Sequence, residues 1–293
     1  MPVYGGYPGM PVYPGSDTGF TVPGLRDPLV TAPGEGVGGW FNRLFKAFGL
    51  HLRAMYLIGL ATFGIPSAVF GVLLGVYGPT TTQRLDPATG RNVPEMHFDH
   101  AAAFLLLALV FVVVSGFLGA LGQGAFVWTL TRRAVDAPAP VGDALRYGLG
   151  NAFRLWGWTL LYGLIVGVGV CACVLPGLYL LVAGSLYIPV LLYQRGANPI
   201  STSFSMVNKN FGAALGRLVL LFLLVVGAQL ILQIPSAIVT ATVSTAAGRV
   251  VDVVTTLAAI PLTFATVLGA VLLFAELRAR QYPLASADLN AAL

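Results

Sequence analysis

Stretches free of Asp, Glu, Lys and Arg set the frame of this sequence. One runs between Arg53 and Arg84, another between Asp99 and Arg132, and a third from Leu155 to Gln194. Leu218 to Gly248 and Val253 to Ala275 follow. A bilayer core about 30 Å thick takes about 20 helical residues, so the first two and the last two stretches each hold one span. The third is roughly twice that length and is interrupted by Leu175-Pro176-Gly177, which reads as a tight turn between two helices. The expected spans are therefore at about residues 54–77, 101–130, 155–174, 178–194, 218–240 and 255–276. For the 155–194 pair a re-entrant hairpin is the alternative, because it returns both ends to one side equally well.

Ahead of the first, third and fifth spans the apolar positions change to a helical period with a polar opposite face. Phe41, Leu44, Phe45, Phe48 and Leu52 oppose Arg43, Lys46 and Arg53. Val141, Leu145, Leu149 and Phe153 recur every fourth residue behind Pro140, with Asp143, Arg146 and Arg154 elsewhere. Behind Asn198 and Pro199, a capping residue and a helix starter, Ile200, Phe204, Val207 and Phe211 oppose Ser201, Ser205, Asn208 and Lys209. Such segments, at about 39–53, 140–153 and 199–212, predict basic amphipathic helices lying in the membrane interface. The fold class expected is an all-α integral membrane protein with six transmembrane helices, built as three units of cytoplasmic interfacial helix plus transmembrane hairpin. Pro140 to Asn151 aligns without gaps on Pro199 to Asn210, although only the prolines and final asparagines are identical.

Composition agrees with this frame: 57% of the 293 residues are apolar and only 9% are charged, which excludes an ordinary water-soluble enzyme. The net charge of +5 acquires meaning by position. With six alternating spans, 13 of the 16 Lys and Arg residues fall on one side and only Arg84, Arg91 and Arg249 on the other. Basic residues concentrate on cytoplasmic loops, so both termini are expected in the cytoplasm and the protein in the cell (plasma or inner) membrane. The basic interfacial helices then suit anionic headgroups of the bilayer, and nucleic acid is not an expected partner.

Residues 1–38 are rich in Gly, Pro and Tyr, as in the related Pro-Val-Tyr runs at Pro2 and Pro11. They cannot bury enough apolar surface to offset their ordering entropy and are expected to form a disordered cytoplasmic tail open to a protein partner. Nothing before Trp40 supplies the apolar core of a signal peptide, so the tail is expected to be retained. The membrane domain takes residues 39–280, and 281–293 form a C-terminal cytoplasmic tail.

From Leu175 to Val219 the motifs Leu175-Pro176-Gly177 and Pro189-Val190, followed by a short helix containing Ser203, Phe204 and Ser205, carry a likeness. This part resembles the bacterial six-helix family named for the membrane domain of glycerophosphoryl diester phosphodiesterase, together with its uncharacterised stand-alone relatives. The resemblance implies the six-helix membrane fold from about Trp40 to Ala279. Gln194 stands where that family commonly has an acidic residue, and Lys209-Asn210 where it has glycine. The catalytic α/β barrel of about 250 residues has no counterpart here, so the resemblance implies no phosphodiesterase activity.

Side chains able to do chemistry are few, and no cofactor is expected. Glu95, His97, Asp99 and His100 form a His-carboxylate group ahead of the second span, either a metal site or a polar lead-in to a helix. Gln123, Gln229 and Gln233 lie within spans, the last two one turn apart before Pro235. They are candidates either for interhelical hydrogen bonds at a proline kink or for a polar lining for substrate. Gly116, Ala120 and Gly124 mark a close-packing face. Cys171 and Cys173 read as small apolar filler, His51 as a hydrated interfacial side chain, and Glu276, four residues before Arg280, as a snorkelling or paired charge. No ionisable residue falls at a predicted midplane, and no nucleophile elbow, His-Glu-x-x-His or phosphate loop occurs, so no catalytic residue is assigned and the protein is expected not to be an enzyme. The expected function is a non-enzymatic envelope scaffold or assembly factor; the alternative is a transporter or lipid-handling protein.

Overall fold

The computed structural model describes residues 27–30, 36–77, 80–85, 92–97, 100–242, 245–281 and 284–293. It has six helical stretches long and apolar enough to cross a membrane: Gly36–Leu73, Ala101–Ala134, Val141–Ala172, Val174–Tyr193, Phe211–Thr242 and Val253–Ala279. Helices α1 (Gly36–Gly59) and α2 (Ile65–Tyr77) are joined by a π-helical turn, Leu60–Gly64. Then come α3 (Ala101–Ala134), α4 (Val141–Ala172), α5 (Val174–Ala183), α6 (Tyr187–Tyr193), α7 (Pro199–Lys209), α8 (Phe211–Thr242), α9 (Thr245–Ala279) and α10 (Ser286–Ala292). The protein is thus a multi-pass membrane protein in its helical architecture. At about 1.5 Å per residue, the stretches of 27 to 38 residues are longer than a hydrocarbon core about 30 Å thick, whereas Val174–Tyr193, with 20 residues, just matches it.

Among the described residues the fold is all-helical apart from one short hairpin between α2 and α3. There β1 (Thr80–Leu85) pairs antiparallel with β2 (Asn92–His97), with Thr80 opposite His97 and Leu85 opposite Asn92. Three consecutive threonines open β1, and their branching at Cβ favours extended backbone in a segment too polar for hydrocarbon.

The amphipathic segments at 39–53 and 140–153 run without interruption into the helices that follow them, as parts of α1 and α4. Only the one ahead of α8 is separate. Asn198 caps it by accepting from the Ser201 amide at 3.1 Å, Pro199 opens it, and it ends at Asn210. The break between α4 and α5 falls at Cys173, whose backbone is extended, two residues before the expected Leu175-Pro176-Gly177 turn. Proline is tolerated in the first turn of a helix, so Pro176 starts α5 instead of ending α4. Gly177 serves packing: a Cβ there would stand 2.7 Å from the Cα of Val170.

The C-terminal half of α9 fills the centre of the bundle. From Ala270 to Leu277 every residue is buried, as are Ile260, Phe264, Val267 and Leu268, the pattern of a helix covered on all sides. Phe126 of α3 lies 5.1 Å from Phe264, and Tyr193 of α6 stacks on Phe274 at 5.6 Å. At Gly269 a Cβ would meet Leu221 of α8 at 2.2 Å and Trp40 of α1 at 3.5 Å, so three helices converge where that side chain is missing. Gly116, Ala120 and Gly124 do form a close-packing face. It meets α4, where Gly124 faces Leu155 and the Gly148 Cα, and Gly116 faces Trp156.

Candidate functional site

The ends of the helices that carry most of the basic residues come together, and the Asp27–Val30 segment and α10 close over them. Asp27 makes the join. Its Oδ1 accepts from the Leu29 amide at 2.9 Å, the Val30 amide at 2.8 Å and the Ser286 hydroxyl at 2.6 Å; its Oδ2 accepts from the Ser286 amide at 2.8 Å. Arg43 donates to the Asp27 carbonyl, and Arg195 donates to the Leu293 carbonyl. Leu29, Val30 and Leu289 are buried beneath these contacts. Residues 28–38 and 281–293, expected as parts of tails, therefore include ordered pieces at Pro28–Val30, at the start of α1 and at α10. Residues 1–26 of the expected tail lie outside the described residues.

Beside this join a cleft of about 700 Å³ opens between α1, the end of α3 and the turn after it. Arg43, Lys46 and Arg133 bring positive charge to its wall, with Asn42 and His51 beside them. Asp136 stands at its exposed rim with φ at 53°, in the left-handed region. Arg132 and Arg133 part company here: Arg132 lies over the Trp128 ring at 5.3 Å, while Arg133 lines the cleft.

His51 corrects the expectation of a hydrated side chain. It is only 7% exposed, because the inward stripe of α1 is Trp40, Leu44, Ala47, His51, Met55 and Ile58, one helical period. The phenylalanine face read from the sequence lies to the side of that stripe, and Phe45 is 54% exposed. His51 precedes the expected first span. Burial, with Arg133 adding to it, pushes the imidazole down to about 4, so it is neutral at physiological pH. Its Nδ1 is buried and has no hydrogen-bond partner among the described residues.

A second charged group lies between α8 and α9. Glu276 Oε1 accepts from Arg217 at 2.7 Å and from Arg280 at 2.7 Å. The Arg217 and Glu276 side chains are 4% and 6% exposed, and Arg280 is 39% exposed. Arg280 also reaches Asn210 Oδ1 at 3.3 Å, and Arg217 donates to the Ala213 carbonyl at 2.9 Å. The Glu276–Arg280 pair follows from spacing, whereas Arg217 is 59 residues from Glu276 and nothing local signals it.

The other sequence candidates are not gathered into one site. Gln123 is half-buried on α3, with Oε1 lacking a partner among the described residues. On α8, Gln229 is half-buried and Gln233 exposed, and Ser236 donates to the Gln233 carbonyl at 3.0 Å beside Pro235, which stays inside a continuous helix. Glu95 and His97 lie in β2, Asp99 falls outside the described residues, and His100 caps α3 with its ring 6.2 Å from Tyr77. Among the described residues no three metal-ligating side chains come together. Cys171 and Cys173 are free and exposed on the two sides of the α4–α5 junction.

One polar group that the sequence places in the short helix, without a role, is well placed. Ser203 of α7, fully buried, donates to the Ala183 carbonyl at 2.8 Å and accepts from the Leu186 amide at 3.1 Å, holding the break between α5 and α6. A serine on the inward face of a short amphipathic helix is the only signal for it. No protein-family model matches this chain, and neither a curated protein nor a solved structure is found to be similar to it.

Proposed function

We propose that the protein is a non-enzymatic scaffold or assembly factor of the cell membrane, with both termini and its basic end in the cytoplasm. The observation that supports it best is the filled centre of the bundle. The apolar side chains of α9 from Ile260 to Ala275 occupy the place where a transport path would run. The charge asymmetry of the loops supports the orientation. In this reading the three amphipathic segments meet anionic headgroups at the cytoplasmic face, and residues 1–26 offer a segment for a protein partner. The family likeness carried by Leu175-Pro176-Gly177 and Pro189-Val190 is part of the same proposal, and it brings no phosphodiesterase activity.

Photo-cross-linking in intact cells tests this, with the reactive residue placed at Arg146 or Lys209, both exposed. The expected outcome is a discrete protein adduct of constant mass, unchanged when Gln229 and Gln233 are replaced by leucine. The alternative, transport or lipid handling, is favoured by the half-buried Gln229 one turn from the exposed Gln233. It predicts lipid adducts only, together with a flux that Q229L/Q233L abolishes.

A further inference from the structure

We infer that the cleft between α1 and the end of α3 binds the phosphate group of an anionic amphiphile through Lys46 and Arg133. This stands whether the protein scaffolds or transports. Arg43, Lys46 and Arg133 outnumber Asp27 and Asp136 in the lining, and both Asp27 oxygens are turned to backbone amides and the Ser286 hydroxyl and not to Lys46 or Arg133. Among the described residues Lys46 and Arg133 have no ion pair, although a charged side chain at a cleft wall ordinarily gains from one. Arginine and lysine together suit a phosphate, the one by its planar fork and the other as a mobile point charge.

Two further features point to an ester with an apolar part. A volume of about 700 Å³ lies in the range of sites for organic ligands and far exceeds what one phosphate fills. The apolar part of the wall includes Leu29, Ala47 and Leu50, and Leu50 is 65% exposed one turn from Lys46. A cation beside an open leucine, just ahead of a span, matches a molecule with its headgroup at the interface and its chains in the bilayer. His51, neutral and only 7% exposed, completes the lining beside the cations.

The test is native mass spectrometry of the full chain released from nanodiscs of phosphatidylcholine containing phosphatidylglycerol. The wild type is expected to retain one phosphatidylglycerol, and K46Q/R133Q to lose about tenfold or more of that occupancy. The control R195Q/R280Q removes the same charge away from the cleft and from the amphipathic segments, and is expected to retain the lipid. Should K46Q/R133Q unfold, K46Q alone serves, since Lys46 is exposed and its loss opens no cavity; a loss of about threefold is expected. Displacement of the lipid by millimolar glycerol 3-phosphate identifies a soluble phosphate ester as the competing source, and resistance to it identifies the membrane lipid; both support a phosphate site. Equal retention by the cleft variants and the control, or equal loss, overturns the proposal.

Discussion

Replacement of Glu276 by glutamine tests how the α8–α9 junction is held. The substitution keeps volume and removes the anion that Arg217 and Arg280 share at 2.7 Å each. Arg217, 4% exposed, is then a buried cation whose nearest compensation is the Ala213 carbonyl. Removing one member of a buried pair costs about 3–5 kcal/mol, because the remaining charge is left without solvent or partner. Arg217→Met leaves Glu276 bonded to Arg280 and costs less, about 1–3 kcal/mol. Arg280→Gln removes the half-exposed partner and costs at most about 1 kcal/mol. The decisive molecule is R217M/E276Q, which has neither buried charge. It is expected to recover to within about 2 kcal/mol of the wild type, so the two changes are strongly non-additive. Thermal unfolding in one detergent reads this directly. For a chain of this size about 2 °C accompanies each kcal/mol, so E276Q is expected to melt about 6–10 °C lower. Additive costs in the double variant, or an E276Q no worse than R280Q, would refute the idea that the buried charge determines the effect.

Ser203→Ala leaves the Ala183 carbonyl and Leu186 amide without their shared partner, and a loss of about 2–4 kcal/mol is expected from chemical unfolding in mixed micelles. At Gly148 a Cβ would stand 2.4 Å from the Leu121 carbonyl oxygen, so Gly148→Val is expected to abolish monodisperse elution in size-exclusion chromatography; Gly150→Ala, in open space, is expected to elute as wild type. His51 is held well below its ordinary 6.5, so the unfolded chain takes up a proton that the folded chain refuses. Stability is accordingly full above pH 6.5 and falls as pH drops from 6.5 toward 4, by on the order of 3 kcal/mol; His51→Gln is expected to flatten that slope in thermal melts.

The spans were legible because hydrocarbon imposes a length and a composition that local sequence must obey. Features made by distant segments were not. Glu276 with Arg280 is a spacing of four on one helix, whereas Arg217 reaches the same oxygen only because α8 packs on α9. The cleft is assembled from residues near 27–29, 39–51 and 133–137, none distinctive in its own window. His51 was misjudged because α1 is apolar on more than one face, and the stripe that turns inward is decided by contact with α9 and α3. Likewise Leu175-Pro176-Gly177 marks a turn in any window, yet the chain turns two residues before Leu175, at Cys173. The packing face at Gly116, Ala120 and Gly124 was visible from its spacing, and its complement, Ala144, Gly148 and Ala152, has the same spacing on α4.

The central position of α9 has a consequence for biogenesis. It is the last of the six spans in chain order, so the other five enter the membrane before the helix that organises them exists. Until then Trp40, Phe126 and Leu221 have lipid, or each other, in place of their final neighbours. The α3–α4 face can pack before then, but Trp40, Phe126 and Leu221 gain their α9 neighbours only when Phe264 to Leu277 joins the bundle. A chain cut short before that point keeps its α3–α4 contacts and lacks the α9 core, so its remaining helices are held more loosely than in the finished protein.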